Sequence, residues 1–166
     1  MIKSIFRILN FRTILIVVLY LLFKNENKTV RAYEIKEESM KPELLPEEYV
    51  LSVKLKEVPK RGDIVIFTND EKNIDVIKRV IGLPNENVSS SEGSIVVNSE
   101  KIKDTWAKDL TDDFVSVELG DDEIFVLGDQ RTLSTSDSRT LGPIKYEECW
   151  KLKIRYWPYH RFNIYE

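Results

Sequence analysis

The residues able to do chemistry in this chain of 166 are few. A single histidine, His160, and a single cysteine, Cys149, leave no HExxH zinc site and no Cys/His metal cluster of ordinary spacing, and a histidine-based hydrolytic triad would have to draw on His160, in an aromatic and basic tail near the end. A hydrolase built from the remainder takes its base from a carboxylate or a lysine. Three places stand out. Ser39 lies in Glu38-Ser39-Met40-Lys41-Pro42, where Pro42 restricts the residue before it and stiffens an irregular piece of chain. Lys78 lies in Val76-Ile77-Lys78-Arg79-Val80-Ile81. At period two it shares a face with Val76 and Val80, while Ile77, Arg79 and Ile81 share the other. The third place is Gly128-Asp129-Gln130-Arg131 followed by Ser134-Thr135-Ser136-Asp137-Ser138-Arg139, a dense run of hydroxyls, acids and arginines. Taken singly, each has an ordinary reading: a turn serine, a lysine guarding an edge strand, a solvated loop.

The elements that must position these groups are strands. Short apolar or alternating runs recur at 49–55, 64–67, 76–81, 94–97, 114–119, 124–127 and 152–156. Between them stand Pro59, Arg61-Gly62-Asp63, Leu83-Pro84-Asn85, Glu92-Gly93, Gly120-Asp121-Asp122 and Gly128-Asp129. Ser89-Ser90-Ser91 fits a hairpin arm or loop. The pattern predicts a mainly β fold, a coiled antiparallel sheet or small barrel. The length allows one sizeable core, and 42% hydrophobic residues exclude a disordered chain.

Charge divides the chain unevenly. Residues 1–23 carry Lys3, Arg7 and Arg12 and no acid, which leaves 22 basic and 28 acidic side chains for the rest, or −6. Thr13 to Phe23 is uncharged over 11 residues, and a looser apolar stretch from Ile5 reaches 19 if Arg7 and Arg12 snorkel. The chain then continues Lys24-Asn25-Glu26-Asn27-Lys28 without a small-x-small site, so the segment reads as an uncleaved transmembrane helix, with a cleaved leader as the alternative. Basic residues before it place the N-terminus in the cytoplasm and the body outside. The expected organisation is therefore a basic end and anchor at 1–23, a linker at 24–32 and an extracytoplasmic domain at 33–166. A formal charge of −3 offers no bulk basicity for nucleic acid.

Together the motifs resemble a known family. Ser39-Met40-x-Pro42 just past an apolar segment is followed by Arg61-Gly62-Asp63-Ile64-Val65, Lys78-Arg79-Val80-Ile81-Gly82-Leu83-Pro84, Gly128-Asp129-x-Arg131 and Asp137-Ser138-Arg139. Their order and spacing are similar to those of bacterial type I signal peptidases of the Gram-positive type, from the apolar segment to Arg155-Tyr156-Trp157-Pro158. The resemblance implies a membrane-bound serine protease with a Ser–Lys dyad on a β-rich domain, cutting exported preproteins after small-x-small sites. It implies Ser39 as nucleophile and Lys78 as general base, and no metal or cofactor. Free lysine titrates near 10.4, so half neutrality near pH 8 needs a drop of about 2 units, roughly 3 kcal/mol. Desolvation beside Val76 and Val80 is of that order.

The resemblance also implies an oxyanion donor at the Ser39 N–H, a supporting pair from Asp137 and Arg139, and a scaffold that includes Asp129 and Arg131. Ile35, Met40, Val76 and Ile77 are expected to line the substrate site. The chain departs from the pattern in several places. Glu37 stands where some relatives carry a hydroxyl, Glu43 where threonine is usual, and Asn85 where glycine is usual, although Asn also accepts left-handed geometry. Two residues instead of one separate Ser134 from Asp137-Ser138-Arg139, so the lysine-orienting hydroxyl is Ser134 counting forward and Thr135 counting back. The expected partners are exported preproteins and the lipid bilayer. The alternative reading is a signal-peptidase-like protein dedicated to surface-fibre assembly, and a self-cleaving regulator with Ser–Lys chemistry is a third. Arg61-Gly62-Asp63 reads as a turn rather than an adhesion triplet, Cys149 as a packed apolar residue, and His160 as a surface residue.

Overall fold

The computed structural model describes residues 30–166, and the expected membrane segment lies outside them. Among the described residues no helix is long and apolar enough to cross a membrane. The body, Ala32–Glu166, forms one compact unit.

Twelve strands run along the described chain. They are β1 (Val30–Glu34), β2 (Tyr49–Lys54), β3 (Ile64–Asn69), β4 (Ile74–Gly82), β5 (Asn87–Ser91), β6 (Ser94–Val97), β7 (Glu100–Lys101), β8 (Val117–Glu118), β9 (Glu123–Leu127), β10 (Ile144–Lys145), β11 (Trp150–Trp157) and β12 (Asn163–Ile164). Eight of them make one sheet in the order β1-β2-β11-β3-β4-β9-β10, with β12 paired to β11. The other four make a second sheet, β7-β6-β5-β8. The registers from β2 to β10 are antiparallel, as the turn spacing predicts. The path of the large sheet is open from β1 to β10, so the architecture is a coiled sheet with a smaller one attached.

Period-two alternation explains how one sheet serves two cores. On β3, Ile64 and Ile66 pack with Ile35, Met40, Leu44, Val50, Trp150 and Leu152, whereas Val65 and Phe67 pack on the opposite face with Val76, Val80, Ile124 and Val126. On β9 the same rule sends Ile124 and Val126 one way and Phe125 and Leu127 the other, toward Val88, Ile95, Val97 and Leu119 of the small sheet. Each fully buried aliphatic side chain of this kind contributes about 1.5–3 kcal/mol. Cys149 is wholly buried in the Val65 cluster, and burial pushes its thiol up to about 12. It packs as an apolar residue, as the sequence suggests, and His160 is exposed in a 3-10 turn at Tyr159–Arg161.

Several strands escape sequence reading. β1 and β12 are short and polar, and β7 and β10 have only two residues each. The run expected at 114–119 is a strand only at Val117–Glu118. Phe114 still stacks on Phe125, with ring centroids 5.1 Å apart. Ser89 to Ser91 do form a hairpin arm, within β5 against β6. Asn85 takes φ +64, the left-handed geometry expected of the residue standing in for glycine.

Candidate active site

Ser39 sits in a run of turns after β1. The Lys41 N–H donates to the Glu38 carbonyl at 3.0 Å and the Leu44 N–H to the Met40 carbonyl at 2.9 Å. Met40 and Leu44 are anchored in the core on either side of this turn, which fixes the loop by burial as well as by hydrogen bonds. From the other direction, the Gln130 N–H donates to the Ser39 carbonyl at 3.0 Å. The serine is thus tied to the segment after β9, and it is only 5% exposed.

Lys78 reaches the same point from β4. It shares a side of the strand with Val76 and Val80, opposite Val65 on β3, and is 2% exposed. Its Nζ donates to Ser39 Oγ at 2.8 Å. Burial strips water from the ammonium and lowers its pKa from 10.5 to about 8, against the opposing pull of Asp137, Glu37 and Asp129. A neutral amine at this distance accepts the hydroxyl proton of Ser39, which is what activation of a serine requires.

The segment after β9 builds a scaffold of buried charge around the pair. Asp137 caps the short helix α1 (Ser138–Leu141) by accepting from the Arg139 N–H at 3.1 Å. Its Oδ2 accepts from Ser134 Oγ at 2.6 Å and from the Arg139 guanidinium at 2.9 Å. Asp137 and Arg139 therefore pair, as expected. Asp129 does not join them. Arg79, turned to the opposite face of β4 from Lys78, takes both Asp129 oxygens at 2.7 and 2.6 Å. The same guanidinium donates to the Gly62 carbonyl at 2.8 Å and lies 5.3 Å from the centre of the Trp106 ring. Arg131 is fully enclosed, bonded to the Gly128 carbonyl and Asp104 and, at 3.2 Å, to Thr111. Of the two candidate orienting hydroxyls, Ser134 is buried beside Asp137 and Thr135 is exposed. Ser134 touches the carboxylate whose charge acts most strongly on Lys78.

A cleft of about 470 Å³ opens onto Ser39 and Lys78. Its walls come from Ala32–Glu34 of β1 and Ile74–Ile77 of β4, with Ile35, Met40, Glu37 and Ser136 between them. All four expected lining residues, Ile35, Met40, Val76 and Ile77, are on these walls. Sequence reasoning missed β1, Glu34 and Ser136; the extra residue before Asp137 was the one available signal for Ser136. Among the described residues no cluster of three or more His, Cys, Asp or Glu could hold a metal ion.

The chain also has matches among known proteins. A signal peptidase I P of Bacillus subtilis subsp. natto is 30% identical over 142 residues, covering 77% of each chain. The signal peptidase I S of Bacillus subtilis strain 168 is 33% identical over 144 residues, covering 78% of this chain and 76% of that protein. A signal peptidase I of Bacillus licheniformis is 35% identical over 96 residues, which span 51% of this chain and about half, 52%, of that protein's length. A crystal structure of a signal peptidase I from Enterococcus faecalis V583 matches with a TM-score of 0.50 at 27% identity, covering 56% of this chain and 94% of that one. Residues 7–157 match the family described as signal peptidase, peptidase S26. The chain therefore belongs to the peptidase S26 signal peptidases, a family of serine endopeptidases.

Proposed function

We propose that this protein is a membrane-bound signal peptidase that removes N-terminal signal peptides from exported preproteins after small-x-small sites. The observation that carries the reading is the 2.8 Å contact between Ser39 Oγ and a buried Lys78 whose pKa is lowered to about 8, at the floor of an open cleft. Ser39 Oγ attacks the scissile carbonyl carbon while its proton passes to Lys78 Nζ. The resulting oxyanion lies against the Ser39 N–H, an electrostatic stabilisation of the kind such reactions need. Lys78 then gives the proton to the departing amine as the C–N bond breaks, leaving an ester on Ser39. Water, deprotonated by Lys78, hydrolyses that ester and restores the hydroxyl.

In this reading the substrate lies extended between β1 and β4, where strand edges hydrogen-bond its backbone. Ile35, Met40, Val76 and Ile77 shape shallow apolar pockets for its small side chains. Ser134, Asp137, Arg139, Asp129 and Arg131 support the dyad. Residues 1–23 anchor the chain with the N-terminus in the cytoplasm, 24–32 link, and 33–166 form the extracytoplasmic catalytic domain.

The test is cleavage of an exported preprotein by detergent-solubilised protein, beside Ser39→Ala and Lys78→Ala. The reading predicts a cut after a small-x-small site by the parent and none by two folded variants. A folded parent inert toward a panel of preproteins would favour the role in surface-fibre assembly. The extra residue between Ser134 and Asp137, together with Glu37, is the observation behind that second reading.

A further inference from the structure

The family match ends at residue 157, yet the segment beyond it grips the loop that carries Ser39. After the 3-10 turn at Tyr159–Arg161, the chain reverses and β12 pairs antiparallel with Ile154 and Arg155 of β11. The Tyr165 N–H donates to the Lys153 carbonyl at 2.8 Å. This return places two side chains against the far side of the nucleophile loop. Arg161 donates to the Pro42 and Glu43 carbonyls, each at 3.0 Å, and to the carboxylate of Glu48 at 2.5 Å. Tyr165 donates its hydroxyl to Glu43 Oε1 at 2.6 Å, and its ring packs against the core cluster that holds Ile35, Met40 and Leu44. Glu48, 2% exposed, in turn accepts from the Leu45 N–H at 2.9 Å and closes the ring of contacts.

We propose that residues 159–165 are a positioning strap for the nucleophile loop, with Arg161 and Tyr165 as its attachment points. The proposal rests on the reading of Ser39 as nucleophile. The Glu43 carbonyl is partly buried and needs a donor, whereas that of Pro42 lies nearer solvent. The Arg161 guanidinium supplies several donors in a fixed plane and reaches both carbonyls and Glu48, alongside Arg155 of β11, which also donates to the Glu43 carbonyl and, at 2.6 Å, to the carbonyl of Arg161. Glu43 thereby acquires a role: the acid that departs from the usual threonine is the acceptor for Tyr165. The strap acts on Ser39 through the loop, since the bonds of Arg161 and Tyr165 go to Pro42, Glu43 and Glu48. It is a positioning element.

The test compares Tyr165→Phe and Arg161→Gln with Val97→Ala, a core truncation in the small sheet that lowers stability away from the loop. Tyr165→Phe keeps the ring packing and removes one hydroxyl, so it folds even if Arg161→Gln does not. For Tyr165→Phe the strap predicts kcat lower by roughly 3–10-fold with KM within about twofold, because misaim of a nucleophile costs turnover first. It also predicts amide exchange at Lys41 and Leu44 faster by about tenfold while that of Val88 is unchanged. Val97→Ala should leave kcat unchanged. A Tyr165→Phe protein with unchanged kcat and unchanged exchange at Lys41 and Leu44 would overturn the proposal. So would exchange that rises evenly over the whole domain. If the parent cleaves no preprotein, the reading of function fails, and the exchange at Lys41 and Leu44 still decides the strap.

Discussion

Gly128 and Ser39 are in such close approach that a Cβ added to the glycine would lie 2.7 Å from the serine's carbonyl oxygen. The same Cβ would lie 2.5 Å from Ser134 Oγ. Backbone cannot move aside as a flexible side chain can, so Gly128 is where the nucleophile loop and the Asp137 scaffold are allowed to meet.

Gly128→Ala is therefore expected to fold with a displaced Ser39 and to lose about two orders of magnitude in kcat. Steady-state kinetics on a preprotein substrate would check this. Parent-like turnover would mean that the junction is not tight.

Lys78 illustrates a conflict between stability and activity. Its lowered pKa means that folding disfavours the ammonium. The cost is present in full below about pH 8, shrinks as pH rises from there toward 10.5, and is absent above. Lys78→Met should thus abolish cleavage while raising stability at pH 7 by about 1–2 kcal/mol. Urea unfolding at pH 7 and pH 10 should show that gain fade at the higher pH. A variant less stable than the parent at pH 7 would contradict the desolvation account.

Arg79 and Asp129 are buried partners, and removing one leaves the other uncompensated. Asp129→Ala should lose about 3–5 kcal/mol of stability, the usual result of orphaning a buried charge. Chemical denaturation would read it, and a loss under 1 kcal/mol would place the pair among solvent-screened surface bridges.

Ser134→Ala removes the hydroxyl that donates to Asp137 and leaves its carboxylate less neutralised beside Lys78. Activity should fall and the midpoint of its pH dependence should move upward, since a fuller negative charge favours the ammonium. Thr135→Ala, at an exposed position, should stay within about twofold of the parent. The reverse pattern in kcat/KM would assign the orienting role to Thr135.

How much of this was legible in the sequence depends on where the information lay. Alternation on β4 separated Lys78 from Arg79 because the strand is long and both faces are buried. Asn85 and Gly62 marked turns through chemistry that is local. Pairings between distant segments left no such trace. Asp129 could equally have met Arg139 or Arg79, and only the register of β4 against β9 decides for Arg79. β1, β7, β10 and β12 are too short or too polar for periodicity to reveal, since their strands form by joining a sheet already present. The grip of Arg161 and Tyr165 on residues more than a hundred positions away is invisible for the same reason.

The central claim is that Lys78 is a buried amine poised to take a proton from Ser39 near neutral pH. The most direct measurement is an NMR titration of the Lys78 side chain, from selectively labelled lysine, in the folded protein. The account predicts a midpoint near 8, matched by kcat/KM that rises with pH and levels off at that value. A Lys78 that titrates near 10.4, like free lysine, would contradict it.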